Sequence, residues 1–439
     1  MTELPDGITR GDRARLFPIL ADRSIEGRTL SIFLATLIHV RPFAEKILGD
    51  LGKRIGPWAK LSAFTEVCFE NEADHEGDRP DGLLIVDTGR SRWTLLVEAK
   101  VRKGEIGVDQ LSRYLKVAKT NKIDAVLTLS NQFSLAPHHH PIAVNIPKGV
   151  DLFHLSWMRI LTDAFLLLNQ GFKNEDSFYV LNEFKRFISH DSAGVESFTQ
   201  MPAVWSEITE TVQAGGSILS SPAKELVEAW HQECQDLSLI FSRQIDAGVS
   251  KKLTRAESND PNIRVSNDIE VLKQRQILSM ELDVPNAISP VSVLIDLKRR
   301  TISISMHITA PGDRKRNSAR LNWLLRQLPS EGIDGYFLRA QWPGRSPWTQ
   351  IALAEAHTDS SPLYESKGTM DLVGFEVVKV VDLGSRFGRP RVFIDELEDA
   401  VPEFYETVGQ NLQAWVQPAP RVKEERSDPD TVSPSSIAD

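Results

Sequence analysis

Short apolar runs broken by polar turns fill the first half of the chain. Leu83–Val86 and Trp93–Val97 are two such runs, separated by Thr88-Gly89-Arg90-Ser91-Arg92. Two short apolar segments joined by a glycine-containing turn predict a β-hairpin. Phe64–Glu70 predicts a strand before it, and Ile123–Ser130 and Asp151–Leu155 predict two strands after it. Other stretches follow helical spacing. Leu30, Phe33, Leu34, Leu37 and Ile38 form one stripe, and Phe43, Ile47 and Leu48 extend it beyond Pro42, which divides or kinks the helix. Leu111, Leu115 and Ala118 form a stripe on a helix that Asp109 would cap and that runs to about Thr120. Further helices are expected near 156–169 and 176–189. The order is α, β, β, β, α, β, β, α. A three-stranded meander followed by a helical crossover makes an α/β domain, a mixed sheet flanked by helices.

The second half changes character. Gly194 and Gly215-Gly216 suggest a linker over 196–221. A long helix is expected from Pro222 to about Asp246, with Ser221 as its cap. Strands are expected at Val291–Leu297 and Thr301–Thr309, and strand-like pieces at 335–342, 348–354 and 374–382. Helices are expected at Ser318–Leu328 and about 395–415. This is an α+β pattern. The expected organisation is therefore residues 1–195 as one domain, 222–417 as a second, and 418–439, rich in Pro, Ser, Asp and Glu, as a disordered tail.

Chemistry concentrates at the ends of the hairpin. Side chains two apart in a strand share a face, so Glu98 and Lys100 project together with Ala99 turned away. The hairpin brings the start of its first strand, Asp81, beside them. Charged strand ends are common, but that does not explain why these three fall where they meet. Two carboxylates and an amine at one point suit a hard divalent cation and a water to be positioned or deprotonated. Pro80-Asp81 and Glu98-Ala99-Lys100, with Gln110 and Tyr114 one helical turn apart downstream, resemble the PD-(D/E)xK nuclease superfamily and its Q-x-x-x-Y extension. The resemblance covers roughly residues 30 to 170. It implies a restriction-endonuclease-like fold and Mg²⁺-dependent (or Mn²⁺-dependent) phosphodiester hydrolysis. Asp81 and Glu98 would be metal ligands, Lys100 would position or activate the attacking water, and Gln110 and Tyr114 would act near the scissile phosphate. A glutamate on the first core helix often supports such a site, and Glu45 has that helix context. Glu66, on the strand before Asp81, is the other candidate for an additional metal ligand. By the same analogy the substrate is DNA and the setting is defence against foreign DNA, with defence-system partner proteins. A DNA-repair nuclease subunit, or a non-catalytic nucleic-acid-binding module, is the alternative.

Composition modifies this only locally. The net charge of −9 over 439 residues argues mildly against a protein that coats nucleic acid. Lys100 to Lys122, however, holds seven Lys and Arg against two acids, and its Arg113, Lys116 and Lys119 are candidate nucleic-acid contacts. Arg314, Lys315, Arg316 and Arg320, and Arg386, Arg389 and Arg391, are further basic clusters, weighed against solvated turns. The second domain is expected to recognise, dimerise or regulate, which leaves a homodimer open. His138-His139-His140 read as an exposed loop. The nine tryptophans read as core. Cys68 and Cys234 cannot build a disulfide framework. No run reaches membrane-spanning length and the N-terminus lacks signal-peptide order, so a cytoplasmic location with no membrane partner is expected.

Overall fold

The structure, a computed structural model, describes residues 7–18, 24–69, 79–417 and 419. Its N-terminal unit runs β1 (Ile8–Arg13), α1 (Ile25–His39), α2 (Arg41–Asp50), β2 (Lys60–Phe69), β3 (Gly82–Asp87), β4 (Arg92–Ala99), α3 (Val108–Thr120), β5 (Ala125–Ser130), β6 (Asp151–Ser156), α4 (Trp157–Gln170) and α5 (Glu175–Ile188). The six strands lie in sequence order in one sheet. Pairing is antiparallel from β1 to β4 and parallel from β4 to β6. A parallel step needs a crossover, and α3 supplies it. Strand β5 is buried along its whole length, which is why it reads as an unbroken apolar run.

Helices cover both faces. On one, Phe33, Phe43, Trp157 and Phe184 from α1, α2, α4 and α5 form a cluster of buried rings. Phe33 meets Trp157 edge-on at 5.8 Å between centroids. On the other, Leu111 and Leu115 of α3 pack on Leu83, Leu96 and Val126. Pro42 starts α2, where a missing N–H costs nothing, so the expected break falls there. Strand β1 has no counterpart in the sequence pattern. Only Ile8 in it is buried, so this edge strand carries no hydrophobic period to detect. Asp109 lies in the first turn of α3, but the cap position is Gly107 and no side chain caps it.

The chain continues with α6 (Val204–Gln213), α7 (Ser220–Gln244), β7 (Ser250–Lys251), α8 (Arg255–Asn259), α9 (Pro261–Arg275), β8 (Ile277–Asp283), β9 (Val291–Asp296), β10 (Thr301–Thr309), α10 (Asn317–Leu325), β11 (Tyr336–Gln341), β12 (Thr349–Ala352), α11 (Leu353–Thr358), β13 (Gly374–Asp382) and α12 (Pro390–Thr407). Seven strands form a second sheet in the order β12-β11-β13-β10-β9-β8-β7, antiparallel throughout. Helices and an antiparallel sheet make this part α+β.

Residues 196–221 do not behave as a loose connection. Helix α6 lies within them. Its Trp205 is fully buried, stacks on Phe393 at 4.1 Å, and donates from Nε1 to the Phe387 carbonyl at 2.8 Å. Gly215 and Gly216 close α6 by donating to the carbonyls of Val212 and Thr211. Gly215 has φ +75°, a conformation that glycine adopts without strain at a helix end. These glycines are a helix cap, not a flexible joint. Helix α7 then serves both cores. Trp230, Leu237 and Phe241 belong to the second, and Leu239 to the first. The Gln232 amide pairs with both main-chain groups of Phe133, at 2.7 and 3.0 Å. No helix among the described residues is long and apolar enough to cross a membrane. The expected tail, 418–439, falls outside the described residues except for position 419, as do residues 70–78, which precede Asp81 in the chain.

Candidate active site

Backbone geometry delivers the first three residues. Gly82 pairs with Val97 across the hairpin, so Asp81 and Glu98 face each other at the next step. Asp81 Oδ2 accepts the Ala99 N–H at 2.9 Å. Helix α1 crosses closely here. A Cβ on Gly82 would stand 2.9 Å from Leu34 Cδ1, so any larger residue after Asp81 would have to push that side chain aside. Lys100, just beyond β4, is held at both main-chain groups. Its N–H donates to the Leu129 carbonyl at 2.8 Å, and its carbonyl accepts Trp157 Nε1–H at 2.8 Å.

Glu98 is the centre of the cluster and is 1% exposed. Its Oε1 accepts from Lys100 Nζ at 2.7 Å and from Gln110 Nε2 at 2.6 Å. Gln110 Nε2 also donates to Tyr114 Oη at 3.2 Å, and Tyr114 Oη donates to the Arg79 carbonyl at 3.1 Å. The helix residues thus tie β4 to the segment entering β3. Lys100 Nζ also stands 3.5 Å from Glu26 Oε2. The structure therefore brings together Asp81, Glu98, Lys100, Gln110 and Tyr114, and adds Glu26.

Electrostatics are tense. Burial, and then the Glu98 charge, raise the Asp81 carboxyl to about 8, against the Ala99 N–H and Lys100. Burial works against the Lys100 ammonium, but the carboxylates of Glu98, Asp81 and Glu26 outweigh it and push its pKa up. Burial and the Glu98 charge push the Tyr114 phenol up as well, so it stays a proton donor. Glu98 Oε2 is buried and has no hydrogen-bond partner among the described residues. Two carboxyls buried side by side must share a proton or take up a cation.

These residues fit a divalent cation. Glu98 Oε2 and Asp81 can offer oxygen ligands. No three His, Cys, Asp or Glu side chains among the described residues form a ready-made cage. Mg²⁺ is usually bound through one or two carboxylates plus substrate phosphates and waters, so two suffice.

Other expected residues are placed differently. Glu45 is exposed on α2, ion-paired with Arg41 at 3.1 Å, and outside the cavity that Asp81 borders. The acidic residue that α1 brings to the site is Glu26. Nothing in the sequence singles it out, because it precedes the apolar stripe and an acid in a first helical turn is ordinary. Glu66 is exposed, with φ +50° where β2 loses register with β1, and it donates its N–H to the Asp81 carbonyl at 3.0 Å. It borders the same cavity of about 550 Å³ as Asp81 and Glu26. Arg13, Arg15 and Arg102 also line that cavity. Arg113, Lys116 and Lys119 are exposed on α3, and Lys119 Nζ donates to the Lys148 carbonyl at 2.6 Å. At about 100° per residue, Arg113 lies roughly 60° around the helix from Gln110, whereas Lys119 points to the opposite side.

The histidine loop is tied down rather than free. His140 Nε2 and His154 Nδ1 both lie 2.8 Å from Thr128 Oγ1, and burial lowers each ring to about 4. In the second domain, Arg320 is buried and donates to the carbonyls of Arg314 and Leu372, while Arg314 lies over the Trp415 ring at 4.6 Å. Arg386 pairs with Glu396 and Arg391 with Asp395. These basic clusters are therefore largely engaged within the fold. Trp58, 90% exposed, departs from the expectation of core tryptophans.

Comparison with family models, curated proteins and solved structures finds no match to this chain.

Proposed function

We propose that the chain is a metal-dependent nuclease of the PD-(D/E)xK type, with a restriction-endonuclease-like N-terminal domain acting on phosphodiester bonds in DNA. One observation carries the reading. Glu98 is buried with Oε2 unpartnered among the described residues and Oε1 bridged to Lys100 and Gln110, directly beside Asp81. Packing alone gives no reason to bury two carboxyls side by side.

Asp81 and Glu98 would hold Mg²⁺ or Mn²⁺, with Glu26 and Glu66 near enough to the cavity to hold its waters. When bound, the ion supplies Lewis-acid polarisation of the phosphate and a more acidic water. Lys100 has a raised pKa and therefore keeps its proton. It suits orienting the attacking water and stabilising charge on the phosphate better than abstracting a proton. Gln110 locks the Glu98 carboxylate in one orientation, and Tyr114 locks the approach to Asp81 through Arg79. Defence against foreign DNA is the setting we favour. The test is incubation of plasmid, linear and single-stranded DNA with and without Mg²⁺ or Mn²⁺, comparing wild type with Glu98→Ala. Metal-dependent cleavage that disappears in the variant is expected. No cleavage by wild type with either metal rejects the reading.

A further inference from the structure

We propose that the cavity bordered by Asp81 receives an unpaired strand, with its phosphate held by Arg13, Arg15 and Arg102 and a base stacked on Phe17. The proposal rests on the nuclease reading and narrows its substrate to single-stranded nucleic acid or frayed ends. The observations lie in the segment that follows β1. It walls one side of the cavity that Asp81, Glu26 and Glu66 border. It is pinned in place, because Ser31 Oγ accepts from Arg15 N–H at 2.9 Å and donates to the Arg15 carbonyl at 3.1 Å, and Ala14 N–H donates to the Ala63 carbonyl at 3.0 Å.

Two kinds of group in or beside the cavity have no partner among the described residues. The guanidinium groups of Arg13, Arg15 and Arg102 make no hydrogen bond or ion pair among the described residues, although acids share their cavity. Cations with no partner among the described residues suit a ligand that is itself an anion. Phe17 stands 89% exposed beside Pro18, which lines the cavity. An exposed ring next to unpaired cations is the arrangement that receives an unstacked base and its backbone. Size argues the same way. A space of about 550 Å³ falls within the ~300–1,000 Å³ of small-ligand clefts, the scale of a nucleotide rather than of a double helix.

The test is fluorescence anisotropy with the full chain in EDTA, which prevents metal-dependent cleavage. The probes are a short labelled DNA strand, an RNA of the same sequence and a blunt DNA hairpin. The single strand should bind at least about tenfold tighter than the hairpin. Phe17→Ala should weaken single-strand binding by about tenfold, within what one base-on-ring stack contributes, and leave hairpin binding unchanged. Phe17→Trp should restore it. Arg13→Ala with Arg15→Ala should reduce the salt slope by about 0.7 for each phosphate no longer neutralised. The DNA and RNA arms identify which strand the site takes. A hairpin bound as tightly as the strand, a Phe17→Ala protein with full affinity, or no binding of any probe overturns the proposal. Metal-dependent cleavage with no single-strand preference rejects this proposal alone. Phe17-dependent binding with no cleavage under any metal rejects the nuclease reading and leaves the binding site standing.

Discussion

Glu98 has one oxygen committed to Lys100 and Gln110 and the other without a partner among the described residues, and Asp81 faces it with a carboxyl raised to about 8. Two consequences can be measured. The first concerns pH. Asp81 has a folded-state pKa above its unfolded value, so the folded state binds the extra proton. Its contribution to the stability of the metal-free protein is complete below about 4 and is lost as pH rises through about 8. Metal-free melting temperature should therefore fall across that window, and the stabilisation by added Mg²⁺ should grow across it, because the ion competes with the proton. A Mg²⁺-induced shift that is flat from about pH 6 to about pH 8.5 would remove Asp81 from the metal site. Asp81→Asn keeps an acceptor for the Ala99 N–H but removes the like charge. Above about pH 8 it should raise the metal-free melting temperature, by roughly 2–4 °C if the relief is about 1 kcal/mol, while abolishing the Mg²⁺-induced shift. The second concerns Lys100. Lys100→Ala should retain metal binding, read by calorimetry, and lower the cleavage rate by on the order of 10²-fold, the scale of one positioned charge or proton-transfer group. Full activity in that variant would make the lysine a bystander.

Helix α3 is the element that joins the site to its surface. Its inner face presents Gln110 and Tyr114 to the carboxylates, while its outer face carries the charges. Of the three basic residues expected to meet nucleic acid, Arg113 is nearest the site around the helix, and Lys119 is engaged with the Lys148 carbonyl. Replacing Arg113 and Lys116 together by alanine should lower the salt slope of DNA binding, by up to about 0.7 for each single-strand phosphate no longer neutralised, whereas Lys119→Ala should leave it nearly unchanged. Equal effects from all three would mean that the nucleic acid wraps the whole helix. Helix α6 makes a separate point. Glycines bracket it as they would a linker, yet Trp205 anchors it in the second core. Trp205→Ala should cost about 3–5 kcal/mol, which denaturant unfolding will show. A cost below about 1 kcal/mol would return α6 to the status of a connector.

At the scale of the molecule, α7 is the shared spine. Leu239 enters the first core, Arg243 Nη1 donates to Thr162 Oγ1 at 2.6 Å, and Gln232 clamps Phe133. The two sheets are therefore coupled through one helix. A chain ending at residue 195 has none of these α7 side chains and should melt well below a chain ending at residue 246, although both contain every candidate catalytic residue. Equal melting temperatures would show the first domain to be independent of α7. The second domain offers less to nucleic acid than its basic runs suggest. Arg320 is buried and Arg314 lies over Trp415, while Arg386 and Arg391 are held in surface ion pairs.

The mixed first sheet and the hairpin are legible in the sequence because each depends on local pattern. Apolar runs the length of a strand, a polar turn between them and helical stripes on either side are written in consecutive residues. So is the meeting of Asp81, Glu98 and Lys100, since strand alternation and hairpin pairing are short-range geometry. Gln110 and Tyr114 follow from one helical turn. Positions set by long-range packing lie beyond that reach. Glu26 arrives because α1 crosses the hairpin at Gly82. Arg13 and Arg15 arrive on an edge strand with no buried period and on the segment just after it. Glu45 carries the right local context on the wrong helix. The glycines at 215 and 216 signal a turn correctly, but a turn that caps a helix and a turn that frees a linker look alike until the core they pack against is present. Local alternation and periodicity determined which residues could form the site. Only the tertiary structure decided which distant charges complete it, because that depends on how helices dock on the sheet.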